Sequence, residues 1–289
     1  MDWAPRTVAS GLGFPEGPVA LDDGSIAFVD ILDGRIRRAR DGAVETVAEV
    51  PGGPNGAALG SGGALYVANN GGVCVGPDGY QFSAEQVTGR VQRVEPDGGV
   101  TDVAIEFAAP APWRPNDLCF GPDGALYVTD PHNWEDLANL GPGRVWRIAP
   151  GGAPEQIAEV PLFPNGIGFG ADGRTLYVAQ SMTMSVLAFD WTPGGLAGER
   201  VLAKFAAGFP DGFCVTANGD LIVCGSMADV IHCVDQEGTP RWSVQTGDHT
   251  EPTNCCLADG VLYVTMSSAR ELVAVDCGLE ALPLHRGAV

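Results

Sequence analysis

One phrase recurs six times along this chain, and each copy carries an oxygen-bearing side chain at the same place in it. The copies read FPEGPVALDDGSIAFVD from Phe14, GPNGAALGSGGALYVAN from Gly53, RPNDLCFGPDGALYVTD from Arg114, FPNGIGFGADGRTLYVAQ from Phe163, FPDGFCVTANGDLIVC from Phe209 and PTNCCLADGVLYVT from Pro252. In register, Glu16, Asn55, Asn116, Asn165, Asp211 and Asn254 become equivalent positions of one symmetric object. They stand 39, 61, 49, 46 and 43 residues apart, which fits propeller blades of roughly 40–50 residues better than any helical repeat.

Each copy reads as strand, tight turn, strand. The turns are Asp23-Gly24, Gly62-Gly63, Asp123-Gly124, Asp172-Gly173, Asn218-Gly219 and Asp259-Gly260, pairs that supply the positive φ of hairpins. A third strand follows each copy and a fourth precedes the next, four antiparallel strands per blade. The sixth unit is one strand short, with about 35 residues after Asn254. Arg6 to Ser10, just ahead of Phe14-Pro15, therefore closes the last blade and leaves no open edge. The expected fold is all-β: a six-bladed β-propeller occupying residues 1–289 as one domain.

Forty-one glycines and 22 prolines fall at turns within a chain that is 45% apolar, the mark of many short strands rather than of disorder. No apolar run is long enough to cross a bilayer, and the first residues lack the basic and apolar regions of a signal peptide. A formal charge of −20 with a single lysine, Lys204, opposes phosphate backbones and anionic membranes, so neither nucleic acid nor membrane is an expected partner. Eight cysteines without a CxxC pair read as free, buried thiols, and the expected compartment is the cytoplasm.

The innermost strand of every blade lines a central channel, so six oxygen-bearing side chains at its mouth end converge on one axis. Oxygen ligands, two of them carboxylates, suit a hard divalent cation, with Ca²⁺ first and Zn²⁺, Mn²⁺, Mg²⁺ or Fe²⁺ also compatible. Asn and Asp before Gly are also ordinary turn residues. Glu16 is not, and a buried carboxylate beside Asp211 needs a counter-charge. There is no GxSxG elbow, HExxH or glycine-rich phosphate loop. Of four histidines, His132 sits where the second strand of blade 3 reaches the mouth.

With Phe14-Pro15-Glu16-Gly17 followed by Phe28-Val29-Asp30, Arg114-Pro115-Asn116-Asp117 followed by Tyr127-Val128-Thr129-Asp130-Pro131, Pro164-Asn165-Gly166 and Pro210-Asp211-Gly212, the chain resembles the gluconolactonase/regucalcin (senescence marker protein) family of six-bladed propellers. The resemblance runs through all six blades. It implies a cation held by Glu16, Asn165 and Asp211, and a substrate touched by Arg114 and Asn116; Asp130 and His132, at the mouth end of the second strand of blade 3, are further substrate-binding candidates by position. It also implies hydrolysis of a lactone, an aldonolactone or related small ring, by metal-activated water, with Asp211 as general base and Asn116 steadying the oxyanion. Besides the lactone, the expected partner is at most a weakly associated second copy of the chain.

An insertion, roughly Gly71 to Gln86, departs from the family pattern; its Tyr80 and Phe82, with Trp113 and Trp134 beside the blade-3 motif, either roof the mouth or pack blades together. Two other readings stay open: a phosphotriesterase-like hydrolase on the same metal site, and a non-catalytic calcium-binding propeller.

Overall fold

In the second strand of each copy, neighbouring residues point to opposite faces, yet nearly all are apolar. Leu65 and Val67 of blade 2 pack toward blade 1, whereas Tyr66 and Ala68 pack toward blade 3. A strand with two buried faces reads as an unbroken hydrophobic run, and here both faces are covered by other blades. The core is accordingly divided into six apolar layers, one between each pair of adjacent blades.

The computed structural model describes residues 2–76, 79–109 and 112–289. Six four-stranded antiparallel sheets form a ring. The innermost strands are Pro15–Ala20, Pro54–Leu59, Leu118–Phe120, Pro164–Phe169, Phe209–Val215 and Pro252–Ala258, each touching the next and the last touching the first. Arg6–Ser10 pairs antiparallel with Glu271–Asp276, closing blade 6 as the sequence predicts. Among the described residues the only helices are three short 3₁₀ turns.

Two devices set the hexad residues in place. In five blades the register of the innermost strand slips beside the hexad position, as between Glu16 and Val19 or Pro164 and Ile167. Such bulges bend a strand and re-aim its side chains. In blades 1 to 3 the last residue of the second strand also latches the incoming loop. Asp30, Asn69 and Asp130 accept the backbone N–H of Phe14, Gly53 and Arg114 at 2.8, 3.0 and 2.9 Å. Each of those donors lies two residues before a hexad member.

Asp130 is fully enclosed. Its oxygens also take the backbone N–H of His132, the indole N–H of Trp146 and the guanidinium of Arg144. Asp130→Ala strands these buried donors together and should cost about 3–5 kcal/mol, lowering Tm on the order of 10 °C. Scanning calorimetry reads this, and an unchanged Tm would refute the latch.

Candidate functional site

The residue after each hexad member decides how closely the blades approach the axis. It is glycine in four copies, and a Cβ there would strike the neighbouring blade. At Gly17 it would lie 2.8 Å from the backbone nitrogen of Ala57, and at Gly166 2.5 Å from the carbonyl of Asp211. At Gly56 it would meet Asn116 O at 2.7 Å, and at Gly212 it would collide with the Asn254 amide. Blade 3 instead carries Asp117, and blade 6 Cys255.

Through this approach Glu16, Asn55, Asn116, Asn165 and Asp211 line one cavity of about 130 Å³ at the channel mouth. Asn254, the sixth member, lies at its floor. The Asn254 amide donates upward to Glu16 Oε2 at 2.9 Å and across the axis to Asp117 Oδ2 at 3.4 Å. Below is a second, mostly apolar cavity, bounded by Ala281 to His285 of the C-terminal segment. That segment is anchored by Leu282 N–H to Val215 O and by the Arg286–Asp22 ion pair.

Several hexad groups are committed to the ring itself. Asn55 donates to Asn116 O and accepts from Asn70, while the Asn165 amide reaches Ser181 Oγ. Asn116 Oδ1 is different: it is buried and no donor meets it. A buried carbonyl oxygen without a partner is costly unless something else occupies the space it faces.

The carboxyl groups are under comparable pressure. Burial pushes Glu16 well above the usual carboxylate range, and the charges of Asp211 and Asp117 add to it. Burial raises Asp211 in the same way, with Glu251 contributing and hydrogen bonds from Ser226 and Asn165 opposing. Asp117 is lifted to about 7 by burial, against hydrogen bonds from Leu118, Asn254 and Ile167. Three carboxyl groups around a narrow axis must be protonated or share a cation.

These donors fit a divalent cation. Glu16 and Asp211 supply charge, and the Asn165 and Asn116 carboxamides supply neutral oxygen, the donor chemistry of hard ions. Among the described residues no cluster of three His, Cys, Asp or Glu forms a metal-ligating arrangement, so a cation here depends on amide oxygens.

Arg114, Asp130 and His132 lie off the cavity wall. The Arg114 guanidinium is held by Glu135, with Nε to Oε1 at 2.9 Å. His132 places Nδ1 2.8 Å from Pro112 O, on a backbone with φ of 67°. Asp130 is the enclosed latch already described. Trp113 packs on Phe107 inside the layer between blades 2 and 3, whereas Trp134 lines the cavity. The insertion pairs Val73–Gly76 with Gly79–Phe82, and Pro77 and Asp78 lie outside the described residues. All eight cysteines are free, and Cys214 and Cys255 approach to 3.5 Å between sulfurs.

Asp117, Ser181, Ser226 and Glu251 are additions that the sequence reading does not single out. A signal existed for Asp117, a carboxylate where four of the other copies have glycine. Ser181 and Ser226 share one repeat position, at the mouth end of the second strand, where blades 1 and 2 carry Ile31 and Asn70.

The protein-family model described as the SMP-30/Gluconolactonase/LRE-like region matches residues 14–268. A gluconolactonase of Zymomonas mobilis is 26% identical over 290 residues, spanning 93% of this chain and 80% of that protein. Among solved structures, a gluconolactonase from Xanthomonas campestris superposes with a TM-score of 0.79 at 24% identity, covering 96% of this chain and 89% of its own. The calcium-binding protein regucalcin from Agrobacterium tumefaciens gives 0.78 at 18% identity, with 98% of both chains covered. With nearly its whole ring inside the family match, the chain belongs to the SMP-30/gluconolactonase/LRE-like family.

Proposed function

We propose that this protein is a metal-dependent lactonase, with Glu16, Asn165 and Asp211 holding a divalent cation, Ca²⁺ first among the candidates. The observation that carries the reading is the convergence of two destabilised carboxyl groups and the unpartnered Asn116 Oδ1 in one cavity at the ring axis. Membership of a family whose relatives include gluconolactonases supports the choice of reaction. When bound, a divalent cation supplies Lewis acidity toward an ester carbonyl and lowers the pKa of water.

The chain's own groups divide the remaining work. Asp211 keeps partial contact with solvent, and burial raises the proton affinity of its carboxyl, the group assigned here as general base. Hydrogen bonds from Ser226 and Asn165 hold it in one orientation. Asn254, bonded to Glu16 Oε2, fixes the second carboxylate. Asn116, neutral and facing the same cavity, positions the substrate carbonyl beside them. The calcium-binding reading has one observation of its own, the regucalcin likeness, and predicts cation binding without turnover.

Asp211→Asn should lower kcat on lactones about 100- to 10,000-fold with the fold retained. Glu16→Gln should weaken Ca²⁺ binding by more than roughly tenfold in calorimetric titration. Lactonase activity that survives both substitutions and chelation would sink the proposal.

Charge state gives a second test. Carboxyl groups whose folded pKa exceeds the unfolded value hold protons that the unfolded chain has released. Cation-free stability is therefore fully present below the usual carboxylate range and falls as pH rises toward about 7, the value reached by Asp117. Chelated protein should melt lower at pH 8 than at pH 5.5, and added Ca²⁺ should raise Tm more at pH 8. Asp117→Asn should flatten the slope; an equal slope in that variant would contradict it.

A further inference from the structure

Above its polar floor the mouth cavity is walled by hydrocarbon. The insertion hairpin contributes Val75, the segment after the second strand of blade 3 contributes Trp134 and Leu137, the entry to blade 4 contributes Phe163, and the turn after that blade's second strand contributes Met182. These side chains form a continuous apolar cluster over the mouth, with Trp134 and Phe163 edge to face at 5.3 Å between ring centres. Phe14 closes the blade-1 side. The hairpin and the blade-3 segment are tied together, because Leu137 N–H donates to Tyr80 Oη at 3.2 Å.

Phe163 sits at φ of 73° and Leu162 at 63°. Large side chains rarely tolerate that backbone, and such strain persists only where the surroundings enforce it. Here it delivers an aromatic ring to the cavity.

The serine and threonine hydroxyls of the wall are already committed. Ser181 Oγ donates to Pro210 O and Thr253 Oγ1 to Pro15 O, while the one Ser226 hydroxyl proton is shared between Phe209 O and the Asp211 carboxylate. Glu251 accepts from Ser267 and Ser268. Among the described lining residues, two buried polar atoms lack a partner, Asn116 Oδ1 at the floor and Trp134 Nε1 in the wall. A polyhydroxylated ring would lose its water against this surface and recover few hydrogen bonds, a net cost. A ring bearing a hydrocarbon substituent gains from the same surface.

We infer that the substrate is a lactone carrying an alkyl or aryl substituent rather than a sugar lactone, its body seated between the insertion hairpin and Phe163 and packed against the Trp134 ring. This rests on the lactonase reading and narrows it. The role assigned to Trp134, Val75 and Leu137 is substrate selection.

The test compares δ-decalactone, δ-valerolactone and D-glucono-1,5-lactone, which share ring size, with Ca²⁺-loaded protein. The kcat/KM for δ-decalactone should exceed that for gluconolactone at least tenfold, on the order of two hydrogen bonds left unmade. It should also climb by roughly two- to fourfold per methylene between the valero and deca rings. The double variant Val75→Asn/Leu137→Asn should reduce the alkyl-to-polyol ratio about tenfold. Trp134→Phe should raise KM for δ-decalactone while leaving kcat near its original value.

Binding is read independently by calorimetry with the hydrolysis-resistant δ-decalactam and gluconolactam, the former expected to bind more tightly. Faster hydrolysis of gluconolactone, or a flat chain-length profile, would overturn the assignment and leave the lactonase reading intact. Failure to hydrolyse any of the three would overturn both.

Discussion

The arrangement depends on how closely six strands can crowd around one axis. Glycine after the hexad residue removes the Cβ that would strike the next blade, and this holds at four of the six positions. Crowding brings side chains from opposite blades into contact, so that Asn254 of blade 6 reaches Asp117 of blade 3. The same crowding excludes water from Glu16 and Asp117, and desolvation is the largest contribution to their raised pKa values. A ring wider by one methyl group at each seam would hydrate these carboxyl groups and relax the electrostatic demand on which the proposed chemistry is built.

Outside the axis, the molecule separates what holds the ring from what shapes its mouth. Six apolar layers and the latches Asp30, Asn69 and Asp130 secure the blades. The mouth is built by segments that interrupt the repeat: the hairpin in blade 2 and the stretch containing Trp134 in blade 3. Because neither belongs to the interblade layers, the mouth can vary in polarity while the floor and the ring stay the same.

Blade count, strand count and the closing role of Arg6–Ser10 were legible because each rests on local pattern: a recurring phrase, a turn pair, an apolar run. Convergence of the hexad was legible too, since repeat symmetry alone makes its members equivalent. Less was legible about the neighbours. Arg114 and Asp130 adjoin the blade-3 motif in sequence, but the Arg114 guanidinium turns to Glu135 and Asp130 is enclosed among backbone and indole donors. Trp113 and Trp134 look alike as flanking aromatics, yet one packs between blades and the other lines the cavity. Side-chain direction at the end of a strand is set by what lies across the gap, which repeat arithmetic does not contain.

The amino-acid order by itself determined the number of sheets, their closure and the six oxygen-bearing positions on the axis, because symmetry in sequence becomes symmetry in space. Only the tertiary structure decided which of those oxygens are already bonded, that Asn116 Oδ1 is not, and that the mouth above them is apolar. The physical reason is that hydrogen-bond satisfaction and desolvation depend on distances between residues far apart in the chain, set when the blades dock against one another.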